Sequence, residues 1–282
     1  MSLYKSSKGF IREKVSPTWW GRLSRGRAHT KRFFRENIWK LQHPGNDFYC
    51  PYCKNEYGKL IPYINPYEIS AKADIISGQS ISAYACPHCL SNDRERALYF
   101  FINKKDDFLS NKKILHFAPE KNLYSFLSSA NSAEYVCADL DPKNYAHLSN
   151  EIEKIDITDI AYPDESFDIV ICNHVLEHIP DDIRAMKEIF RVLKKSGTAI
   201  LMVPIGAKLD DTYEDPTKTT EEERSVSFGQ YDHVRIYAEK NYIERLRSSG
   251  FQVDAHALDI DAEKTAKYGL NSREKIYLGF KN

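Results

Sequence analysis

A chain of 282 residues with 42% hydrophobic content is long enough to bury a full core and to carry a small extra module. Its mean hydropathy of −0.54 and the lack of any uninterrupted apolar run of about 18 residues exclude a membrane-spanning helix. The basic start MSLYKSSKGF is not followed by an apolar stretch of signal-peptide length, so the expected location is cytoplasmic.

The formal charge is zero but unevenly spread: Met1 to Pro44 carries eleven Lys/Arg and two Asp/Glu, a net +9, which leaves −9 for the remainder. Residues 1–44 read as a basic arm, partly helical or flexible. Trp19, Trp20, Phe33, Phe34 and Trp39 interleave with its charges, a pattern suited to peripheral contact with anionic lipid or to following a phosphate backbone. No recognition motif accompanies it, so a solvated extension is the plainer reading.

Residues 45–91 contain Cys50-Pro-Tyr-Cys53 and Cys86-Pro-His-Cys89, two C-P-x-C turns separated by 32 residues. Each turn brings two thiolates to one side, and two such turns make the tetrahedral sulfur cage that structural Zn2+ prefers. Four cysteines would close the coordination shell, so this metal would staple a small segment and do no chemistry, with His88 a bystander; free thiols or a redox role are the alternatives. Cys137 and Cys172 fall in predicted buried strands, where cysteine behaves as a small apolar residue.

From residue 92 onward helices and strands alternate. A helix is expected over Asn92–Asn103, and short apolar runs at Ile114–Ala118, Tyr135–Ala138, Phe167–Cys172, Ala199–Val203, Phe251–Val253 and Ile276–Phe280 read as buried strands. Between them, Asp181–Leu193 places Ile183, Met186, Ile189, Phe190 and Leu193 on one helical face, and Gly197 marks the turn that follows. This alternation predicts an α/β fold with a mainly parallel sheet covered on both faces, and ligands beyond the carboxyl ends of its strands. Residues 205–236 form a long polar stretch rich in acids, expected to be a lid-like insertion. It closes with Phe228-Gly-Gln-Tyr-Asp-His-Val-Arg235, ahead of a helix beginning near Ala238.

Four segments, KILHFAPEKNL, YVCADLDP, IDITDIAYPDESFDIVICNHVLEHIPDD and FRVLKKSGTAILMVP, follow one another from Lys113. With them the chain resembles, over Ile114 to Phe280, the class I S-adenosylmethionine (SAM) dependent methyltransferases, and within those a type 11-like domain of a branch with an N-terminal four-cysteine zinc-binding module. The resemblance implies a doubly wound, Rossmann-like, mainly parallel seven-stranded sheet over residues 92–282 and SAM as cofactor. Asp139, at the end of the second strand, would hold the ribose diol, as an acid does in dinucleotide folds; the alternative is that Asp139 or Asp141 caps the turn. The resemblance places Asp156 against the adenine amine and Ile157 against its ring. Asn173 and His174 would line the methionine and methyl end.

Where the family has an acid and a glycine-rich turn, this chain reads Leu115-His-Phe-Ala-Pro-Glu120. Ala118 and Pro119 are small or rigid enough for a tight turn, and Glu120 could face the methionine amino group. Glu177 and His178 read as fixing the start of the next segment, and Asp168 as structural. His233 is the first candidate for a catalytic base near neutral pH, oriented by Asp232 or Arg235, with His174 the second catalytic candidate. A capping or salt-bridging cluster is the competing reading at 232–235.

The expected reaction is methyl transfer to an O, N or C atom of an unidentified acceptor, a small molecule or glycan-type metabolite. One alternative acceptor is RNA, gripped by the zinc module and arm, against which the neutral overall charge and acidic insertion count. Another alternative, motivated by the missing glycines, is an inactive SAM-binding or scaffold protein.

Overall fold

The computed structural model describes residues 33–105, 107–149 and 151–282. Most of the basic arm, with Trp19 and Trp20, lies outside the described residues; residues 33–42 are a helix, α1. α1 is docked: Arg35 donates to the carbonyls of Pro87 and His88 at 2.8 Å, and the Trp39 indole donates to the Lys59 carbonyl at 2.7 Å.

The cysteine-bearing segment is a set of short elements. β1 (Phe48–Cys50) pairs antiparallel with β2 (Asn55–Tyr57), and β3 (Ile61–Tyr63) with β5 (Ile81–Ala85), flanking α2 (Glu68–Lys72) and β4 (Ile75–Ile76). α3 (Asp93–Asn103) follows where expected because Asn92 accepts from the Glu95 amide while the Glu95 carboxylate accepts from the Asn92 amide, a reciprocal cap at its first turn.

The main sheet has seven strands in the order β14 (Gln252–Ala257), β15 (Lys275–Phe280), β10 (Leu193–Met202), β9 (Phe167–Asn173), β6 (Lys113–Phe117), β7 (Glu134–Asp139), β8 (Glu153–Lys154). β15 alone runs antiparallel to its neighbours. The Rossmann-like doubly wound α/β architecture is as expected; the strand without a sequence signal is β8, two exposed polar residues paired with β7, with the Tyr162 hydroxyl donating to Glu153.

Side chains alternate across this sheet. Leu115, Phe117, Val170, Cys172 and Leu201 enter one buried cluster, and Ile114, Ile169, Ile171, Ile200 and Met202 the other. Each fully buried Leu or Ile contributes about 2 kcal/mol of transfer free energy, so two packed faces fix the register. α4 (Lys121–Ser128), α5 (Asp182–Val192) and α7 (Glu239–Ser248) cover the faces, and α5 is capped by Asp181, which accepts from the Arg184 amide at 3.0 Å. No helix among the described residues is long and apolar enough to cross a membrane.

The insertion is more ordered than a polar loop. It contains β11 (Ile205–Gly206), β12 (Tyr213–Glu214), α6 (Glu221–Phe228) and β13 (Arg235–Ile236). β11 pairs with β4, and Phe228 and Ile236 pack with Ala73 and Ile75 into a small core, so the insertion and the cysteine-bearing segment fold against one another. Arg96, fully buried, donates to the carbonyls of Ala83, Tyr84, Ser91, Tyr268 and Gly269, tying that segment to the loop after α8 (Ala262–Lys267). Gly269, at φ +58, suits this spot: a Cβ would lie 2.5 Å from the Leu60 side chain, which would have to shift.

Candidate active site and cysteine cluster

The chain leaves β6 toward β7 and β8, then returns to start β9 on the other side of β6, which makes the carboxyl edge of these strands a topological switch point. At that edge Ala118 adopts φ +48, and its amide donates to the Ala138 carbonyl at 2.9 Å. Left-handed backbone costs an L-residue about 1 kcal/mol, and alanine presents the smallest Cβ that bears it. The tight turn therefore forms without glycine.

Beyond this turn opens a crevice of about 450 Å³ whose walls include Ala118, Asp139, Asp156, Ile157, His174 and His178. One Asp139 oxygen accepts from the Asp141 amide at 2.8 Å while Asp141 accepts from the Lys143 amide, so turn closure and a place on the crevice wall coexist. Asp156 accepts from the amide and hydroxyl of Thr158, both at 2.8 Å; these bonds hold its carboxyl below the usual range and keep it an acceptor for a donor amine. Ile157 supplies a buried apolar surface beside it.

Three predicted residues do not line the crevice. Pro119 is buried beneath the turn. Glu120 faces His116 at 3.2 Å and keeps Oε1 buried without a partner. Asn173 is buried with neither side-chain amide atom hydrogen-bonded. Asp168 is structural as expected, accepting from the Lys113 amide and the Lys194 ammonium.

A second cavity, about 210 Å³, lies on the other side of His174 and His178, which line both spaces. Its remaining walls include Tyr63, Asn65, Tyr84, Arg94, Glu177 and His233. His174 sits directly after β9 at φ +53, a strained geometry of the kind that collects at functional sites.

The charges at this junction are sorted by environment. Burial would raise the Glu177 carboxyl, but His174, His178 and His233 outweigh it and hold it at about 2. Burial pushes His233 down to about 4, so the near-neutral base expected at this position is a neutral, weakly basic imidazole. His174 is likewise lowered by burial. His178 is raised despite burial, because the Asp232 carboxylate stands 3.4 Å from its Nδ1. Asp232 thus pairs with His178 rather than with His233. Arg235 orients neither histidine; it donates to the Leu176 and Pro180 carbonyls and to Glu214 and so pins the insertion to the segment after β9.

Residues 120–201 match the model of the family described as methyltransferase domain. No curated protein matches the chain. Among solved structures, it is similar to an S-adenosylmethionine dependent methyltransferase from Mesorhizobium loti, at 16% identity and a TM-score of 0.45, over 65% of this chain and 96% of that one. It is also similar to the YcgJ protein from Bacillus subtilis, at 14% identity and a TM-score of 0.43, over 66% and 98% of the two chains. The chain carries a methyltransferase-like domain.

Outside the part of this methyltransferase-like domain that the family model covers, the four cysteines come together. Sγ of Cys50 lies 3.5 Å from that of Cys89, Sγ of Cys53 lies 3.6 Å from that of Cys86, and all four are within 4.8 Å of one another. Zn–S bonds of about 2.3 Å in a tetrahedron set sulfurs about 3.8 Å apart, so the cluster fits a metal; a disulfide, at about 2.05 Å, does not describe it. Among the described residues the buried core around the cluster is Cys50, Tyr57 and Cys86, a small apolar area for holding the two cysteine turns together. His88 is more than a bystander: its Nδ1 lies 2.6 Å from Glu36 and fastens α1 to the second cysteine turn.

Sequence reasoning missed part of the site. Glu177 and His178, read as fixing the next segment, stand at the junction of the two spaces. Tyr63, Asn65, Tyr84 and Arg94 carried no signal, because they reach the cavity only once the cysteine-bearing segment docks.

Proposed function

We propose that the chain is a SAM-dependent methyltransferase acting on an O, N or C atom of a small polar acceptor such as a glycan-type metabolite. One observation carries this reading: a crevice with two acids and an apolar wall at the switch point meets a polar cavity at His174 and His178. Asp139 would hold the ribose diol, Asp156 the adenine amine, and Ala118, Ile157 and His174 the remaining contacts along the crevice. Bound there, SAM supplies a sulfonium methyl open to in-line attack.

Tyr63, Tyr84 and Arg94 offer hydrogen-bond donors and a positive charge that would bind and orient a hydroxylated or anionic acceptor, while the Asn65 amide is spent on the Gly78 and Gly229 carbonyls. Positioning of this kind can supply much of a transfer rate. The insertion contributes Phe228, Gly229, Gln230 and His233 to the cavity wall, which would help keep water from the junction. Cys50, Cys53, Cys86 and Cys89 would hold one structural Zn2+, in a reducing cytoplasm that keeps the thiols free.

The test is transfer of label from tritiated-methyl SAM to separated pools of low-molecular-weight polar metabolites and of RNA. Label in the metabolite pool supports the reading. Label only in RNA would replace the acceptor, and SAM binding without label in either pool would favour an inactive SAM-binding protein.

A further inference from the structure

Glu177 is 1% exposed, and among the described residues neither of its carboxylate oxygens has a well-aligned hydrogen-bond partner. A buried carboxylate in that condition is expensive unless a cation meets it. Among the described residues no lysine or arginine does. Instead three imidazoles surround Oε1: His174 Nδ1 at 3.2 Å, His178 Nε2 at 3.9 Å and His233 Nε2 at 3.9 Å.

We propose that Glu177, His178 and His233 form a divalent metal site at the junction of the crevice and the cavity. Their ligand atoms all lie within 4.8 Å of one another. His178 Nδ1 faces the Asp232 carboxylate at 3.4 Å and its carbonyl at 3.3 Å, which leaves Nε2 as the lone pair turned toward Glu177. A carboxylate behind a ligating imidazole is the usual outer-shell support of a metal-bound histidine. The ligands come from two segments locked together by the Val234 amide, which donates to the Glu177 carbonyl at 3.0 Å. They are therefore placed before any ion arrives.

Two imidazoles and one carboxylate suit a borderline ion such as Zn2+, Fe2+, Co2+ or Mn2+ and leave coordination positions open. Those positions face the polar cavity, which all three ligands help to line. Resting on the methyltransferase reading, the site has a chemical use: an acceptor hydroxyl bound to the ion loses its proton to His174 Nε2, which has no other partner among the described residues, as the O–CH3 bond forms and the S–CH3 bond breaks. An acceptor with a hydroxyl and a second oxygen or nitrogen beside it would chelate the ion.

The test is a Co2+ titration of the full chain with its cysteine cluster already loaded with Zn2+, read by visible absorption, with SAM binding measured on the same samples. The proposal expects one further equivalent of Co2+ with the weak bands of nitrogen and oxygen coordination and no thiolate charge-transfer band. It expects that equivalent to be lost in Glu177→Gln and in His233→Ala, and weakened roughly tenfold or more in Asp232→Asn. His233→Ala and Asp232→Asn carry the test if Glu177→Gln does not fold. No further equivalent in the wild type, or one that survives these variants, overturns the site. SAM binding without the Co2+ signal leaves the methyltransferase reading standing and removes the metal; the Co2+ signal without SAM binding does the reverse.

Discussion

The crevice and the cavity share two histidines yet are built in opposite ways. The crevice takes most of its wall from one continuous run, Phe117 to Ile179, and exists because strands β6 and β9 lie side by side with their connections leaving in opposite directions. The cavity draws on the cysteine-bearing segment, the first turn of α3, the end of β9 and the insertion. It exists only when parts with small cores of their own dock together. On the proposed function, recognition of the cofactor would be inherited with the sheet, whereas recognition of the acceptor would be assembled from separate pieces.

The largest way to break this comparison is to disable the cysteine cluster, which we propose holds a structural zinc ion. A structural zinc site carries on the order of 10 kcal/mol, far more than Cys50, Tyr57 and Cys86 can supply by burial. Cys86→Ser is expected to expose the amides of residues 48–85 to hydrogen exchange while those of β9 and β10 stay protected. Equal loss of protection in both regions would show that the cavity is no separate assembly.

A smaller effect comes from Glu274, which is buried and accepts a hydrogen bond from Ser77 in the cavity wall. Burial pushes its carboxyl from the ordinary 4.5 up to about 7. The folded state therefore holds this proton more tightly than the unfolded chain, so the stability it contributes is fully present below pH 4.5 and is lost as pH rises through 7. About 3 kcal/mol is at stake across that window. Urea unfolding at pH 5 and pH 8 should show this loss in the wild type and not in Glu274→Gln; parallel behaviour of the two proteins would contradict it.

The smallest effect belongs to the crevice. Ala118→Gly relieves the left-handed strain and is expected to raise stability by up to about 1 kcal/mol, read as a shift in the urea midpoint. The expected Co2+ binding at the junction should not move, because Ala118 lines the crevice alone.

The same contrast explains what the sequence disclosed. Apolar runs such as Phe167–Cys172 and the amphipathic 181–193 stretch announce a sheet and its covering helix, since burial on both faces demands that pattern. Asp139 was legible because a strand end falls at the crevice, and Asp156 only through the family resemblance. β8 was not, since two polar residues gain strand geometry only from β7. His233 looked like a base with an ordinary imidazole; its burial under the insertion, invisible along the chain, makes it a weak one. Tyr84 and Arg94 enter the site through docking that Arg96 secures with five carbonyls, a contact no local spacing foretells.

Calorimetric titration of SAM into the zinc-loaded wild type, Asp139→Ala and Arg94→Ala tests the account most directly. The account predicts wild-type binding tighter than about 100 µM, roughly tenfold weaker in Asp139→Ala and within about twofold of wild type in Arg94→Ala. Absence of SAM binding in the wild type, or an equal loss in both variants, would contradict the division between an inherited cofactor crevice and an assembled acceptor cavity.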